Sequence, residues 1–257
     1  MPRRLGQHFL KNQSILERIA GAVCPDLEPT VIEIGPGRGA LTGHLLPRAG
    51  RVVAVEVDRA LADVLRARFG GDSSLEIVIA NVLETDLAQW GPAVVAGNLP
   101  YYITSPIVEK VLSLGPSLRR AVFLVQHEVA ERLAAGPGSR DYGLLSVRTQ
   151  LLARVEILFA VPSAAFQPAP KVDSAVVRLT PQDRTGELGL DDAERFLAFA
   201  GLCFTQKRKT LRNNLAGTYG REALDALPEA GLRAEQLSVE RLAALYRVLT
   251  PAAPPAR

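Results

Sequence analysis

The sequence is poor in the residues that hold metals and build disulfide frameworks. Its 257 residues include two cysteines, Cys24 and Cys203, and three histidines, His8, His44 and His127. Two cysteines are too few for a disulfide framework or a Cys-based zinc site, and the histidines lack the spacing of paired ligands. We therefore expect no bound metal and a reducing, cytoplasmic location.

Long hydrophobic runs are also missing. No stretch approaches the ~18–20 apolar residues that cross a bilayer, and Lys11, Glu17 and Arg18 interrupt any apolar core of a signal peptide. Hydrophobic residues make up 47% and charged residues 22% of the chain, which excludes disordered, collagenous and coiled-coil proteins. We expect a globular protein without a membrane partner.

Charge is nearly balanced overall, at +3, but basic residues form two clusters. Residues 1–11 contain three basic residues, and residues 207–212 contain four, with no acidic residue in either. The second cluster comprises Lys207, Arg208, Lys209 and Arg212. Such clusters indicate a polyanionic partner such as nucleic acid, although a solvated helix face is an alternative for the second.

Short β-rich runs alternate with helical patterns between residues 30 and 126. Strands are predicted at Thr30–Ile34, Arg51–Glu56, Leu75–Ile79, Ala93–Gly97 and Ala121–Gln126, and helices at Ala40–Leu46, Arg59–Phe69 and Ser105–Leu114. The alternation predicts an α/β fold, a doubly wound and mainly parallel sheet with helices on both faces. Such sheets bind ligands at the carboxyl ends of their strands.

The second half of the chain changes character. One helix and two strands are predicted within Tyr142–Thr180, around a proline-rich loop. Helices follow at Asp191–Phe204, Lys207–Leu215, Arg221–Leu227 and Ser238–Leu249. With a linker near Gly186 and Gly189, this predicts an α/β domain over residues 1–183 and a small all-helical domain over residues 184–257.

A glycine-rich turn, Glu33–Gly39, follows the first predicted strand. Gly35 and Gly37 permit a tight turn and close approach of a ligand to the backbone. Glu56 ends the second strand 21 residues after Gly35, where a carboxylate accepts hydrogen bonds from ribose hydroxyls. Asn81 ends the third strand and can accept from an adenine amino group, or simply form a turn. These features indicate an adenosine-type cofactor without separating NAD from S-adenosylmethionine.

The segment Gly97–Tyr102, GNLPYY, follows the fourth strand and separates these cofactors. The Asn98 side-chain oxygen and a nearby backbone carbonyl can accept both hydrogens of an exocyclic amine, while Pro100 fixes the local backbone. Tyr101 offers a face on which a base stacks. Two acceptors free the delocalised lone pair of an adenine N6, so the segment predicts methyl transfer to that nitrogen by positioning and electrostatics.

As a set, these motifs resemble the KsgA family of small-subunit rRNA adenine N6,N6-dimethyltransferases. The resemblance covers nearly the whole chain, in order. It is carried by Gly6–Leu10, Glu33–Gly37, Val55–Asp58, Asn98–Tyr101, Phe166–Ala175 and Gln206–Asn213.

The resemblance implies S-adenosyl-L-methionine as methyl donor and assigns roles to individual residues. Together with the glycine turn, the implied cofactor contacts are His8, Leu10, Gly35, Gly37, Glu56, Asn81 and Asn98. The implied catalytic residues are Asn98, Pro100 and Tyr101. Phe166 is expected either to stack on the target adenine or to pack in the core.

The implied substrate is small-subunit (16S) rRNA in an immature 30S particle, dimethylated at two adjacent adenines in a hairpin loop near the 3′ end. Such bases must be splayed into a pocket. The helical domain is interpreted as RNA-binding. Its basic residues are expected to bind phosphates of the RNA, and these residues are Lys207, Arg208, Lys209 and Arg212. Nothing in the sequence requires more than a monomer.

One position departs from the family's pattern. The family usually has an acidic residue where this chain has Asn81, which keeps an acceptor but lacks the charge. We therefore expect weaker cofactor binding than in an acidic relative, and tighter binding in Asn81→Asp.

Three other functions are weighed against this hypothesis. The first is the Erm group, which methylates a large-subunit adenine, but Pro168–Ser174 and Lys207–Arg212 favour the small subunit. A non-catalytic factor for small-subunit assembly is the second, and intact Asn98–Tyr101 argues against complete loss of activity. An NAD-dependent oxidoreductase shares the glycine turn but leaves the tyrosine motif and basic cluster unexplained.

Overall fold

The computed structural model describes residues 8–250, so Arg3, Arg4 and the start of the Gly6–Leu10 motif lie outside the described residues. Within that span the chain forms two compact units. The first comprises residues 8–130 and 154–181, and the second comprises residues 131–153 and 182–250.

The first unit is built on a seven-stranded sheet with the order β4-β3-β2-β5-β6-β9-β7. Its strands are β2 (Glu28–Ile34), β3 (Ala49–Glu56), β4 (Leu75–Ile79), β5 (Ala93–Asn98), β6 (Leu118–Gln126), β7 (Ala153–Val161) and β9 (Ser174–Pro181). Strands β2 to β6 pair in parallel, and β9 is antiparallel to β6. The predicted α/β class, with a doubly wound and mainly parallel sheet, is confirmed, and the arrangement is Rossmann-like.

Apolar runs explain why these segments form central strands. Val31 and Ile32 in β2, and Val94 and Val95 in β5, are fully buried. A strand that is covered on both faces requires such a continuous run rather than an alternating one.

The remaining elements of this unit cover and extend the sheet. The helices are α1 (Gln13–Val23), α2 (Thr42–Leu45), α3 (Arg59–Phe69), α4 (Thr104–Leu112) and α5 (His127–Ala134). The first unit ends within α5, after residue 130. Two short strands, β1 (Phe9–Leu10) and β8 (Phe166–Gln167), form a separate antiparallel pair. The Asn12 side chain caps α1, accepting from the amide of Ile15 at 3.2 Å.

The topology brings three strand ends to one edge. Strand β2 lies between β3 and β5, and the chain passes first to one side of it and then to the other. Ile34 is in register with Val55 on β3 and with Gly97 on β5. Gly35, Glu56 and Asn98 therefore follow or end neighbouring strands at the switch point, where sheets of this kind bind ligands.

The second unit is helical. It contains α6 (Leu144–Leu152), α7 (Ala193–Phe204), α8 (Leu211–Tyr219), α9 (Arg221–Asp225) and α10 (Val239–Leu249). Its core is aromatic at the centre, where Phe196 and Phe199 pack against Tyr246 with ring centroids 5.8 and 5.5 Å apart.

The units divide the chain differently from the predicted boundary at residues 183 and 184. Residues 131–153 group with the helical unit. The reason is burial, because Tyr142, Val147 and Leu151 belong to that unit's hydrophobic core.

The helix predicted at Lys207–Leu215 begins later than predicted. Helix α8 starts at Leu211, and the Asn214 side chain braces the turn before it. Its oxygen accepts from the Gln206 amide at 3.2 Å, and its nitrogen donates to the Cys203 carbonyl at 2.7 Å. Residues 207–209 therefore lie in a braced loop rather than on a helix face.

None of the helices within residues 8–250 combines the length and the hydropathy that a membrane crossing demands.

Candidate active site

A cavity in the first unit opens at the carboxyl ends of β2, β3, β4 and β5. It brings together nine of the residues assigned to the site from the sequence. These are His8, Leu10, Gly35, Gly37, Glu56, Asn81, Asn98, Pro100 and Tyr101. Glu33 and Tyr102 also line the cavity, although their positions in the sequence indicate no role for either.

The glycine turn and Glu56 form one wall. Gly35 and Gly37 have φ angles of 64° and 58°, in the left-handed region that favours glycine. The Gly37 amide donates to Glu56 Oε2 at 3.0 Å, and the Asp58 amide donates to Oε1 at 3.0 Å. Each carboxylate oxygen keeps a second lone pair, so Glu56 can still accept two hydroxyl groups.

This wall fits the ribose of an adenosine-type cofactor. A Cβ built on Gly35 would meet no atom within 4 Å, so the backbone there faces open space. The Glu56 side chain is 3% exposed yet lines the cavity. A ribose diol would supply hydrogen-bond donors for the lone pairs that the two amides leave on the carboxylate.

Asn98 is oriented by the N-terminal segment. Its Nδ2 donates to the His8 carbonyl at 3.0 Å, so the amide nitrogen is engaged and Oδ1 remains as the acceptor. The Pro100 carbonyl accepts from the Ile103 amide at 3.2 Å and from Thr104 Oγ1 at 3.0 Å. The carbonyl of Leu99 is therefore the candidate for the second acceptor.

Tyr101 is held from two sides. Its hydroxyl hydrogen-bonds Ser174 Oγ at 3.3 Å, and the His8 ring stacks on it at 5.8 Å with an angle of 24° between planes. His8 is itself fixed, because its Nδ1–H donates to the Pro168 carbonyl at 2.8 Å. Because His8 covers one side of the Tyr101 ring, an incoming base has to stack on the other.

Phe166 is not among the residues that line the cavity, so its assignment to the substrate site stays a prediction. It is 2% exposed and belongs to the hydrophobic core of the first unit. The pairing of β8 with β1, which sets Phe166 opposite Leu10, turns the ring inward. The structure favours the core-packing alternative.

Asn81 lines the cavity within a hydrogen-bonded turn. Its Oδ1 accepts from the Leu83 amide at 3.1 Å, and its Nδ2 donates to Glu84 Oε1 at 2.7 Å. Lys110 on α4 donates to the Leu83 carbonyl at 3.0 Å and ties this turn to the helix after Asn98–Tyr101.

The Asn81–Glu84 bond changes what is expected of Asn81→Asp. An aspartate would face the Glu84 carboxylate, so part of its benefit would be lost to repulsion. We expect Asn81→Asp/Glu84→Gln to bind S-adenosylmethionine roughly three- to tenfold more tightly than the parent, which is the difference between a hydrogen bond to a charged acceptor and one to a neutral acceptor. We expect Asn81→Asp to gain less. Calorimetric titration checks this order. Equal or weaker binding by the double variant would contradict it.

Glu33 is a second buried acid of the cavity, beside Glu56. Its side chain is 2% exposed and accepts from Thr42 Oγ1 at 2.6 Å. Burial raises the pKa of Glu33 to about 7; the Thr42 hydrogen bond opposes the rise, and the nearby charge of Glu56 adds to it. In the sequence, Glu33 could have been identified as a candidate because it places a carboxyl group within the apolar Val31–Ile34 run. Its burial, however, depends on the elements that pack around this strand.

This pKa makes stability depend on pH. Folded Glu33 holds its proton more tightly than unfolded Glu33, so its contribution to stability falls as pH rises from about 4.5 to about 7. Between pH 5 and pH 8 the wild type should lose about 2–4 kcal/mol more than Glu33→Gln. Urea unfolding at both pH values measures this difference. Parallel losses in the two proteins would contradict it.

The basic cluster lies in the second unit. Lys207, Arg208 and Lys209 are exposed, and the Lys207 ammonium donates to the Arg140 carbonyl. Arg212 forms an ion pair with Asp225 at 2.9 Å, so its charge is partly neutralised. Residues 207–209 are therefore the stronger candidates for phosphate contacts.

Within residues 8–250, no three His, Cys, Asp or Glu side chains are grouped as metal ligands.

Comparison with known proteins agrees with this geometry. A family model described as ribosomal RNA adenine dimethylase matches residues 2–250. A ribosomal RNA small subunit methyltransferase A from Acidobacterium capsulatum is 48% identical, with 96% of this chain and 90% of the relative covered. Its counterpart from Gloeobacter violaceus is 46% identical, with 95% and 91% covered.

Two solved structures resemble the chain over almost its full length. A dimethyladenosine transferase from Plasmodium falciparum has a TM-score of 0.79 at 26% identity, covering 93% of this chain and 98% of its own. The 23S rRNA methyltransferase ErmE has a TM-score of 0.72 at 30% identity, covering 94% and 99%. Since the family model spans nearly the whole sequence and the relatives match it from end to end, the chain belongs to the ribosomal RNA adenine dimethylase family.

Proposed function

We propose that this protein is an S-adenosylmethionine-dependent enzyme that dimethylates N6 of two adjacent adenines in small-subunit rRNA. The observation that carries this proposal is the orientation of Asn98, whose nitrogen is bound by the His8 carbonyl at 3.0 Å. This contact leaves the Asn98 amide oxygen free to accept a hydrogen bond from an exocyclic amine, in the same cavity as the glycine turn and Glu56. Relatives named for the small subunit, at 40–48% identity, favour that substrate over the large subunit.

On the cofactor side, the residues bind and orient. Bound S-adenosylmethionine supplies a methyl group on a positively charged sulfur, which needs no further activation. Glu56 would hold the ribose hydroxyls, and the glycine turn would let the backbone approach the cofactor. Asn81 and Leu10 would lie along its length.

On the adenine side, the residues position the amine and accept its hydrogens. Asn98 Oδ1 and the Leu99 carbonyl would accept the two N6 hydrogens, drawing the nitrogen toward a tetrahedral arrangement. Tyr101, held by His8 and Ser174, would stack on the base. After the first transfer one acceptor still has a hydrogen to bind, so the same site can position the monomethyl product.

Residues 207–209, called the basic loop below, would increase the affinity for RNA by binding its phosphates, without recognising the base sequence. Replacing Lys207, Arg208 and Lys209 together with alanine should weaken binding to small-subunit particles roughly 10- to 100-fold at physiological salt and flatten the salt dependence. Filter binding at several salt concentrations measures both. The matched control replaces Arg66, Arg154 and Arg195, which are ion-paired, and should change little. An unchanged salt slope in the loop variant would contradict the assignment.

The natural substrate in this proposal is an immature 30S particle, and the protein acts on it as a monomer in the cytoplasm. Labelled S-adenosylmethionine, offered with unmethylated small subunits and with large subunits in parallel, tests the substrate. Label in small-subunit RNA alone supports the proposal. Label in large-subunit RNA would favour the Erm-type alternative, and binding without label would favour the assembly factor.

A further inference from the structure

Two buried carboxylates share the cofactor cavity. Glu33 and Glu56 are 2% and 3% exposed, and both line it. Their hydrogen-bond donors are neutral: the Thr42 hydroxyl for Glu33, and the amides of Gly37 and Asp58 for Glu56.

A third buried carboxylate shows what this cavity lacks. Glu28 is also 3% exposed, but it forms ion pairs with Arg119, at 3.2 Å, and with Arg120. Among the described residues, no ion pair joins Glu33 or Glu56 to a basic side chain. Buried charges are normally paired, so the cavity is set up for a cation that residues 8–250 do not supply.

The other titratable groups that line the cavity do not fill this role. The Arg38 guanidinium is exposed and lies over the Phe9 ring at 4.9 Å, while His8 Nδ1 is bound by the Pro168 carbonyl. Tyr101 and Tyr102 carry a hydroxyl group and no basic nitrogen. The raised pKa of Glu33 has burial and Glu56 as its causes.

We propose that Glu33 selects the charge state of the cofactor, favouring the methyl donor with its positive sulfur over the neutral product, S-adenosylhomocysteine. The inference rests on the proposed function for the identity of the donor. Methyl transfer breaks the S–CH3 bond, forms an N–CH3 bond and leaves a neutral thioether, while the proton lost from N6 passes to solvent. The same cavity therefore binds the charged donor tightly and has a lower affinity for the neutral product.

Two titrations of each protein test this selection. Dissociation constants for S-adenosylmethionine and S-adenosylhomocysteine are measured by calorimetry at pH 7.5 for the wild type and Glu33→Gln. The preference for the donor should fall roughly tenfold in the variant, the factor that one pKa unit represents. The matched control is Asp63→Asn, an exposed acid on α3, which should keep the preference. An unchanged preference in Glu33→Gln, or an equal loss of both ligands, would overturn the inference.

A second measurement needs no variant. At pH 6.5 Glu33 is largely protonated, and α-amino groups, with pKa values of about 7.7–8.0, are charged. Binding of the donor should then release a proton, whereas binding of the product should not, as heats in buffers of different ionisation enthalpy would show. Equal proton release by both ligands would overturn the inference. Failure of the wild type to bind the donor would overturn the proposed function as well.

Discussion

Asn98→Ala should lower the rate of methyl transfer about 10²–10³-fold, the cost of losing one preorganised electrostatic contact at a reacting centre. The Asn98 oxygen is the acceptor that the His8 contact leaves free, and alanine removes it. Single-turnover rates with saturating donor and small subunits measure this effect.

The control for Asn98→Ala is binding. Affinity for small-subunit RNA should persist, because the basic loop lies on different residues of the chain. Tyr102→Ala, which removes an exposed neighbouring side chain, shows how much any truncation near the motif costs. A near-normal rate for Asn98→Ala would refute the proposed role.

Glu56→Ala should weaken binding of S-adenosylmethionine about 100-fold. Hydrogen bonds to a charged acceptor contribute about 1.5–3 kcal/mol each. At the lower end of this range, losing two to the ribose costs about 3 kcal/mol, which corresponds to that factor. The amides of Gly37 and Asp58 also lose their acceptor, and the turn loosens.

A neighbouring acid provides the comparison for Glu56→Ala. Glu76 lies on β4, is partly exposed and pairs with Arg51, so Glu76→Ala should bind the donor normally. Calorimetry on both variants separates the effects. Less than threefold weakening in Glu56→Ala would contradict the assignment of Glu56 to the ribose.

The sheet was predictable because its strands are apolar runs at the spacing of a parallel fold. Leu75–Ile79 and Arg59–Phe69 have the predicted bounds. The edge where Gly35, Glu56 and Asn98 meet follows from the strand order, so the place where these three residues come together could be predicted from the sequence.

The structure differs from the sequence-based predictions where contacts between segments far apart in the chain determine the conformation. Phe166 is buried by pairing with Leu10, which lies 156 residues earlier. Asn214 holds residues 206–210 in a turn although their composition favours a helix.

Contacts between distant residues also set two features that the pattern alone leaves open. The pKa of Glu33 depends on burial against elements outside its strand. Residues 131–153 join the helical unit through Tyr142, Val147 and Leu151, whose partners come later in the chain.

The most direct test of the account is nucleoside analysis of small-subunit RNA after reaction with the wild type and with Asn98→Ala. The account predicts N6,N6-dimethyladenosine in the wild-type reaction, at two adjacent positions, and almost none with the variant under the same conditions. Dimethyladenosine formed equally by both proteins, or none formed by the wild type on unmethylated subunits, would contradict it.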